Sequence, residues 1–464
     1  MAGKEHNIDF TEGKILVPLL RFVFPVLFAM FLQSLYGAVD LFVVGKFAEK
    51  ADLSAVSTGS QIMMTLTNIV CSFAMGVTIF IGEKTGEKDR KAGGQIIGSG
   101  ILLFFAIGIV LTILVPALAP QLAGIMNAPE EAFDLTAAYI RICGAGMIVI
   151  IAYNLIGSIF RGFGDSHTPL ITVMSACFFN IAGDLALVAG FGMGAVGAAI
   201  ATVAAQMISV IISFFLIRRR KFPFEFDRTC IKWNNMIVSK IIMLGLPIGL
   251  QDFLVGASFL IVLAIVNSIS LDASAGVGVA EKVCGFIMLV PAAFMQAMSA
   301  YAAQNRGAGK YDRVFKGLRY AITVSTAFGI VMFYINFFHG DIMSSIFAKE
   351  PEVIAAAADY LKAYAIDCLF TCFLFCFIGF FNGMEYTRFV MIQGIIGAFC
   401  VRVPVSFLMS RWEPVSLFHI GLATPCSTVL QITLCFCCLF YLKRNLLYRR
   451  KKFRTGSVAE RADS

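Results

Sequence analysis

Two acids sit where an acid is expensive. Asp40 lies inside the first long apolar stretch of the chain, and Asp184 lies deep inside a later one. Acids placed within hydrocarbon usually face a solute or ion pathway. Gln33, Tyr36 and Asp40 are spaced i, i+3, i+7, so they form one polar stripe on a single helix face. Asn180 and Asp184 are spaced i, i+4, again on one face, and Thr202 and Gln206 repeat that spacing in the next stretch. Tyr139 and Asn154 are polar members of an earlier apolar stretch. Two carboxylates in low dielectric cannot both stay ionised cheaply, so they take up protons or share a cation. Oxygens of Asn, Thr and Tyr suit either a hard cation such as sodium or a hydrogen-bond network around a protonated acid. The competing reading pairs each acid with a buried base. Apart from Arg21 near one end, the first-half spans hold only Arg141, and one arginine cannot neutralise two acids. For Gln206 and Asn154, hydrogen bonding between helices fits as well as a place in the site.

The elements that position these groups follow from composition. The 464-residue chain is 59% hydrophobic and only 14% charged, far too apolar for a water-soluble domain of this size. Apolar stretches of about 20 residues recur, the length that crosses a bilayer core. They predict twelve spans, at 16–45, 54–82, 94–120, 133–160, 169–190, 193–217, 236–268, 273–305, 317–339, 356–383, 390–410 and 417–442. The first stretch is too long for a signal peptide. Lys and Arg crowd into the two terminal segments and the even-numbered loops, while the odd-numbered loops hold only Lys46, Lys50, Lys349 and Arg411. This bias predicts a multi-pass protein of the cell membrane with both termini cytoplasmic. It also explains the net charge of +8 without nucleic acid.

The thirteen cysteines lie almost entirely in apolar spans without metal spacing, and His6, His167, His339 and His419 are scattered. They read as reduced packers and isolated histidines, so neither a metal centre nor a cofactor is expected.

The chain repeats itself. Pro25 answers Pro247, Gly86-Glu87-Lys88-Asp89-Arg90 answers Gly309-Lys310-Tyr311-Asp312-Arg313, Phe160-Arg161-Gly162 answers Phe381-Asn382-Gly383, and Gly197 answers Gly421. Six spans per copy make the copies enter the membrane in the same direction, with the cavity at their interface. The expected division is a first lobe at 1–217, a basic linker at 218–235, a second lobe at 236–442 and a basic tail at 443–464. The linker, with Arg218-Arg219-Arg220-Lys221 and Trp233, is expected to lie on anionic headgroups, as is the tail with Arg449-Arg450-Lys451-Lys452. Pro25 cannot donate to the carbonyl of Arg21, so a hinge is expected there. The second copy carries no acid at either position and is polar elsewhere, at Asp252, Glu281-Lys282, Asp367 and Arg402. Asp367 and Glu281 fit a second coupling site or plain ionic glue, with Arg402 a partner for Asp367.

Several of these runs resemble the multidrug and toxic compound extrusion (MATE) family. They are Pro25, Leu32-Gln33-Ser34-Leu35-Tyr36, Val39-Asp40 with Val44-Gly45, Arg161-Gly162-Phe163-Gly164-Asp165 with Thr168-Pro169, Gly194 to Thr202 ending at Gln206, Gly245-Leu246-Pro247, and Ala303-Gln304-Asn305 with Gly307-Ala308. The resemblance implies an all-α membrane protein of twelve helices in two pseudo-twofold related six-helix lobes around a V-shaped cavity. It implies export of cationic or amphipathic compounds in exchange for protons or sodium. In the branch similar to DinF-type transporters the cation site would comprise Asp40, Tyr139, Asn180, Asp184 and Thr202. In a NorM-like branch Asp367 would serve a second-lobe site, but no acid follows Pro247 at the matching distance, since Asp252 lies too close to it.

Three rivals are weaker. A major facilitator would place its loop Asp four residues after a Gly, whereas Gly86 to Asp89 is three. A lipid-linked oligosaccharide flippase would line its cavity with bases, and the first half offers acids. A membrane enzyme would need a clustered catalytic constellation and a longer soluble segment. The expected partners are membrane lipids and small organic cations or amphipathic drugs. A fold that encloses its own pathway works as a monomer.

Overall fold

A computed structural model describes residues 8–219 and 224–462, so Arg220 and Lys221 of the linker and the last two residues of the tail lie outside the described residues. Among the described residues the structure is helical, with no strand. The first copy of the repeat supplies α1 (Leu16–Phe47), α2 (Lys50–Glu87), α3 (Arg90–Ala117), the short α4 (Ala119–Ile125), α5 (Glu130–Ala145), α6 (Met147–Gly162), α7 (His167–Asp184) and α8 (Gly194–Arg219). The second supplies α9 (Asn235–Asn267), α10 (Leu271–Ile287), α11 (Leu289–Gly307), α12 (Tyr311–Phe338), the short α13 (Gly340–Ser345), α14 (Pro351–Gly383), α15 (Thr387–Ile395), α16 (Val403–Met409), α17 (Leu417–Gly421) and α18 (Ala423–Ala462). Eleven spans are long and apolar enough to cross a bilayer, and α5 with α6 makes a twelfth. The twelve expected spans are all present. The fourth differs from a straight helix, since α5 and α6 meet at a 53° bend. Gly146 caps the break, its amide donating to the Ile142 carbonyl (3.1 Å), and a Cβ there would stand 2.5 Å from Val203 Cγ1 of α8. By contrast, α1 runs unbroken through the buried Pro25.

Two spans change pitch. A π-helical turn, Leu185–Gly190, follows Asp184 directly, and a second, Ile396–Arg402, joins α15 to α16 and ends on Arg402. Such turns are rare and gather at functional sites. The small-residue start of α8 lets it close on α7, where a Cβ on Gly183 would stand 2.9 Å from that of Ala201. Asp52 accepts from the amide of Ala195 (2.8 Å) and so caps α8 from α2. The described part of the linker lies along α3, with Ser99 donating to the carbonyl of Lys232 (2.8 Å) and Phe224 buried. Among its side chains Trp233 remains exposed.

The two largest apolar cores exchange the starts of their first helices. Val238, Ile241, Leu244 and Ile248 of α9 join the core built by the first copy, while Leu19, Phe22, Val23 and Val26 of α1 join that built by the second. At this end, which carries both termini, α2 packs along α9 and α11. The backbones nearly touch there: a Cβ on Gly86 would lie 1.9 Å from the Gln304 carbonyl oxygen, and one on Gly307 would lie 2.0 Å from that of Glu83.

A closed ring of four charges covers this seam. Lys240 Nζ meets Glu83 Oε2 at 2.6 Å and Glu385 Oε1 at 2.9 Å, while Arg306 meets Glu83 Oε1 at 2.9 Å and Glu385 Oε2 at 2.6 Å. Residues 8–14 strap over the same seam. The Ile8 amide donates to the Gly164 carbonyl (3.1 Å), Asn305 donates to the Phe10 carbonyl (3.1 Å), Lys310 to that of Thr11 (3.0 Å) and Arg313 to that of Gly13 (2.9 Å). Phe10 is fully buried and edge-on to Phe22 and Tyr301.

Burial alone would raise the Glu385 carboxyl, but Arg306 and then Lys240 outweigh it and hold it down at about 2. A carboxyl lowered by folding stabilises the fold above its unfolded value, and that contribution is lost as pH falls from about 4.5 toward about 2. Thermal unfolding of the wild type at pH 7 and pH 3 is therefore expected to show a loss that Glu385→Gln largely lacks. Equal pH dependence in both would contradict this.

Candidate functional site

Asp40 sits on the seventh turn of α1, on the face turned toward the end of α7 and the middle of α8. It is 6% exposed, and Asp184 and Asn180 are more buried still. The Asp40 carboxyl is neighboured by the side chains of Asp184, Asn180 and Thr202. Asn180 Nδ2 also reaches Thr202 Oγ1 at 3.4 Å. Three elements thus supply one oxygen cluster, α1, the end of α7 and α8, and a π turn begins directly after Asp184. The π turn matters because the extra residue per turn displaces the chain just beyond Asp184 without ending the helix.

The cluster has more acceptors than donors. Asp40 Oδ1, both carboxyl oxygens of Asp184, Asn180 Oδ1 and, one turn along α8, Gln206 Oε1 are buried without a hydrogen-bond partner. Ionised carboxylates accept only, so two of them face to face need a proton or a cation between them. No base answers them: among the described residues neither acid has an ion pair, and Arg141 is exposed. The pairing of these acids with buried bases is thereby excluded.

The other expected residues distribute around this cluster. Tyr139 is buried beneath Gly59 with its hydroxyl in range of the Cys143 thiol, at the edge of the cluster. Tyr36 is in range of Gln33, which is exposed. Asn154 accepts from the Cys71 thiol (2.9 Å) and donates to the Ile150 carbonyl (2.8 Å), so it ties α6 to α2. Pro25 lies more than four turns from Asp40 along α1.

The second copy differs. Asp367 is buried on α14 and accepts from Thr371 (2.9 Å), with Oδ1 unpartnered. Arg402 donates to Ser258 (3.0 Å) and lies over the Phe259 ring at 4.1 Å. Among the described residues these two form no ion pair, so the expected Asp367–Arg402 partnership is not made. Glu281 and Lys282 are likewise unpaired with each other. Sequence reasoning missed Arg161, whose guanidinium turns to Ser158 (2.9 Å), and the link from Ser72 to Asp252 across the two copies. Among the described residues no three His, Cys, Asp or Glu side chains cluster as metal ligands, so any cation here is held by carboxyl, amide and hydroxyl oxygens.

The repeat and this site point to one family, and comparison with known proteins agrees. The MatE family model matches the chain twice, at residues 25–186 and 247–408. The chain belongs to the MatE family. The second match starts at Pro247, as the first does at Pro25, and at that offset Val262 and Ser406 stand where Asp40 and Asp184 stand in the first. MATE proteins are transporters rather than enzymes. The chain is similar to the probable multidrug resistance protein YoeA of Bacillus subtilis (strain 168), with 26% identity over 89% of this chain and 91% of that one. It is similar to the probable multidrug resistance protein NorM of Thermotoga maritima, with 24% identity over 94% of this chain and 96% of that one. In fold it matches a solved outward-facing multidrug resistance MATE transporter at a TM-score of 0.88, with 16% identity over 95% and 98% of the two chains.

Proposed function

We propose that the chain is a cation-coupled antiporter that exports cationic or amphipathic organic compounds across the cell membrane by alternating access, with both termini in the cytoplasm. The observation that carries this reading is the set of donorless buried oxygens on Asp40, Asp184 and Asn180. Such a cluster is stabilised by a proton or sodium ion taken up between its oxygens. A cation entering from outside neutralises the pair, a cationic compound in the cavity loses its attraction, and the compound leaves outward. The membrane potential contributes roughly 2.3 kcal/mol per charge per 100 mV to the entering cation.

In this reading residues 1–217 and 236–442 are the moving lobes, joined by the 218–235 linker, and Pro25 is a hinge beneath the stripe of Gln33, Tyr36 and Asp40. Asp40, Asn180, Asp184 and Thr202, with Tyr139 at their edge, form the coupling site of the DinF-like pattern, and a monomer suffices. The curated relatives named above are multidrug resistance proteins, which supports drug-like substrates. Efflux of ethidium from proteoliposomes under a proton gradient alone, and then a sodium gradient alone, tests the reading. Efflux driven by one of them supports it, and efflux indifferent to both overturns it.

A further inference from the structure

Asp252 is a carboxylate the coupling site does not use. It lies at the middle of α9, five residues beyond Pro247. On the same helix face, one and two turns toward the basic end, Gly249 and Gly245 are pressed onto α2. A Cβ on Gly245 would lie 2.2 Å from the Phe73 carbonyl oxygen, and one on Gly249 would lie 3.4 Å from that of Ile69. One turn the other way, Gly256 has nothing within 4 Å. The two helices therefore part at Asp252, which is exposed at the apex of the opening.

Across the opening α2 presents Gln61, Thr65 and Asn68, all exposed, and then Ser72, at spacings of three and four residues along one face. Ser72 Oγ donates to Asp252 Oδ2, joining the two copies of the repeat. Among the described residues no lysine or arginine pairs with Asp252. An exposed carboxylate without a base, at mid-membrane depth on an inner face, calls for a cation. Its uncharged neighbours are hydroxyls and amides, which accept from an ammonium without competing for it.

We propose that Asp252, with Ser72, Asn68, Thr65 and Gln61, is the subsite that receives the positive charge of an organic cation at the floor of the cavity between the lobes. This rests on the export reading above, and it separates two duties. Asp40 and Asp184 hold the coupling ion, while Asp252 selects substrates by charge. Its place on the seam lets the bound cation weaken the Ser72–Asp252 link between the halves by competing for the same carboxylate.

The test is equilibrium binding to the purified full-length chain, read by fluorescence anisotropy of ethidium and of an uncharged amphipathic dye. Asp252→Asn is expected to weaken ethidium binding about tenfold, the effect of losing one charge-assisted contact, and to leave the neutral dye unchanged. Asp252→Glu is expected to retain most of the affinity. Thermal unfolding of both variants verifies that they are folded, with Asp252→Ser carrying the test if Asp252→Asn is not. Unchanged ethidium affinity in Asp252→Asn overturns the proposal, and so does equal weakening for both dyes, which marks a packing role. A wild type that binds neither dye and exports neither overturns the export reading itself, whereas a wild type that exports ethidium beside an unimpaired Asp252→Asn overturns the subsite alone.

Discussion

Asp184→Asn is expected to weaken gradient-driven efflux sharply while making the protein more stable. The carboxyl of Asp184 has no donor on either oxygen and faces Asp40. An asparagine of the same shape supplies two N–H donors to the unpartnered oxygens of Asp40 and Asn180, which is worth about 1 kcal/mol per hydrogen bond formed. Thermal unfolding should therefore shift upward. Transport should fall the other way, because the variant no longer binds the cation that the two carboxylates share. Coupling free energies are typically about 1–3 kcal/mol, so a loss of roughly 5- to 150-fold in coupled efflux is expected. Asp40→Asn should behave alike, and the double variant should lose little more than either single one, since the two acids act as one unit. A site that trades stability for function is the signature sought. A variant less stable and equally active would mark Asp184 as structural.

Arg306→Ala is expected to open the end of the bundle that carries the termini. Arg306, like Lys240, bridges Glu83 of α2 and Glu385 after α14, and its side chain is 12% exposed against 15% and 24% for the two acids. Removing it strands two carboxylates on Lys240. Truncating one partner of a well-buried pair costs about 3–5 kcal/mol. These groups keep some contact with water, so about 2 kcal/mol is the fitting figure, or roughly a thirtyfold shift between closed and open seams. Ala303 is fully buried under the seam, 2.9 Å from where a Cβ on Gly82 would stand. In a background lacking the native cysteines, Ala303→Cys should resist a water-soluble maleimide in the otherwise wild-type chain. It should react roughly thirtyfold faster with Arg306→Ala added. Equal rates would show that the strap and the backbone contacts seal the seam without the ring.

How much of this was legible in the sequence depended on the range of the signal. Apolar length alone delivered the twelve spans, because a bilayer demands it. Asp40, Asn180, Asp184 and Thr202 stood out as polar groups at helical spacing within apolar helices, and the structure places them together. Tyr139 carried only its polarity as a signal, and its hydroxyl turns to Cys143. The charge ring was hidden because Glu83, Lys240, Arg306 and Glu385 each look like ordinary charges at a span's end, and Lys240 lies 157 residues from Glu83. Residues 8–14 precede the first apolar stretch and carry no periodic signal, yet their backbone carbonyls are taken up by Asn305, Lys310 and Arg313. Asp367 and Arg402 looked like partners by charge alone, but Arg402 reaches Ser258 and the Phe259 ring instead. Periodicity reports a face of a helix and is silent on which distant helix that face meets.

The central claim is that Asp40 and Asp184 together hold the ion that drives export. It is tested most directly by the number of protons or sodium ions bound per protein, by calorimetric or pH-stat titration of the purified full-length chain beside Asp40→Asn and Asp184→Asn. The account predicts one bound cation in the wild type at neutral pH, and its loss in each single variant. Undiminished cation binding in both variants would contradict it.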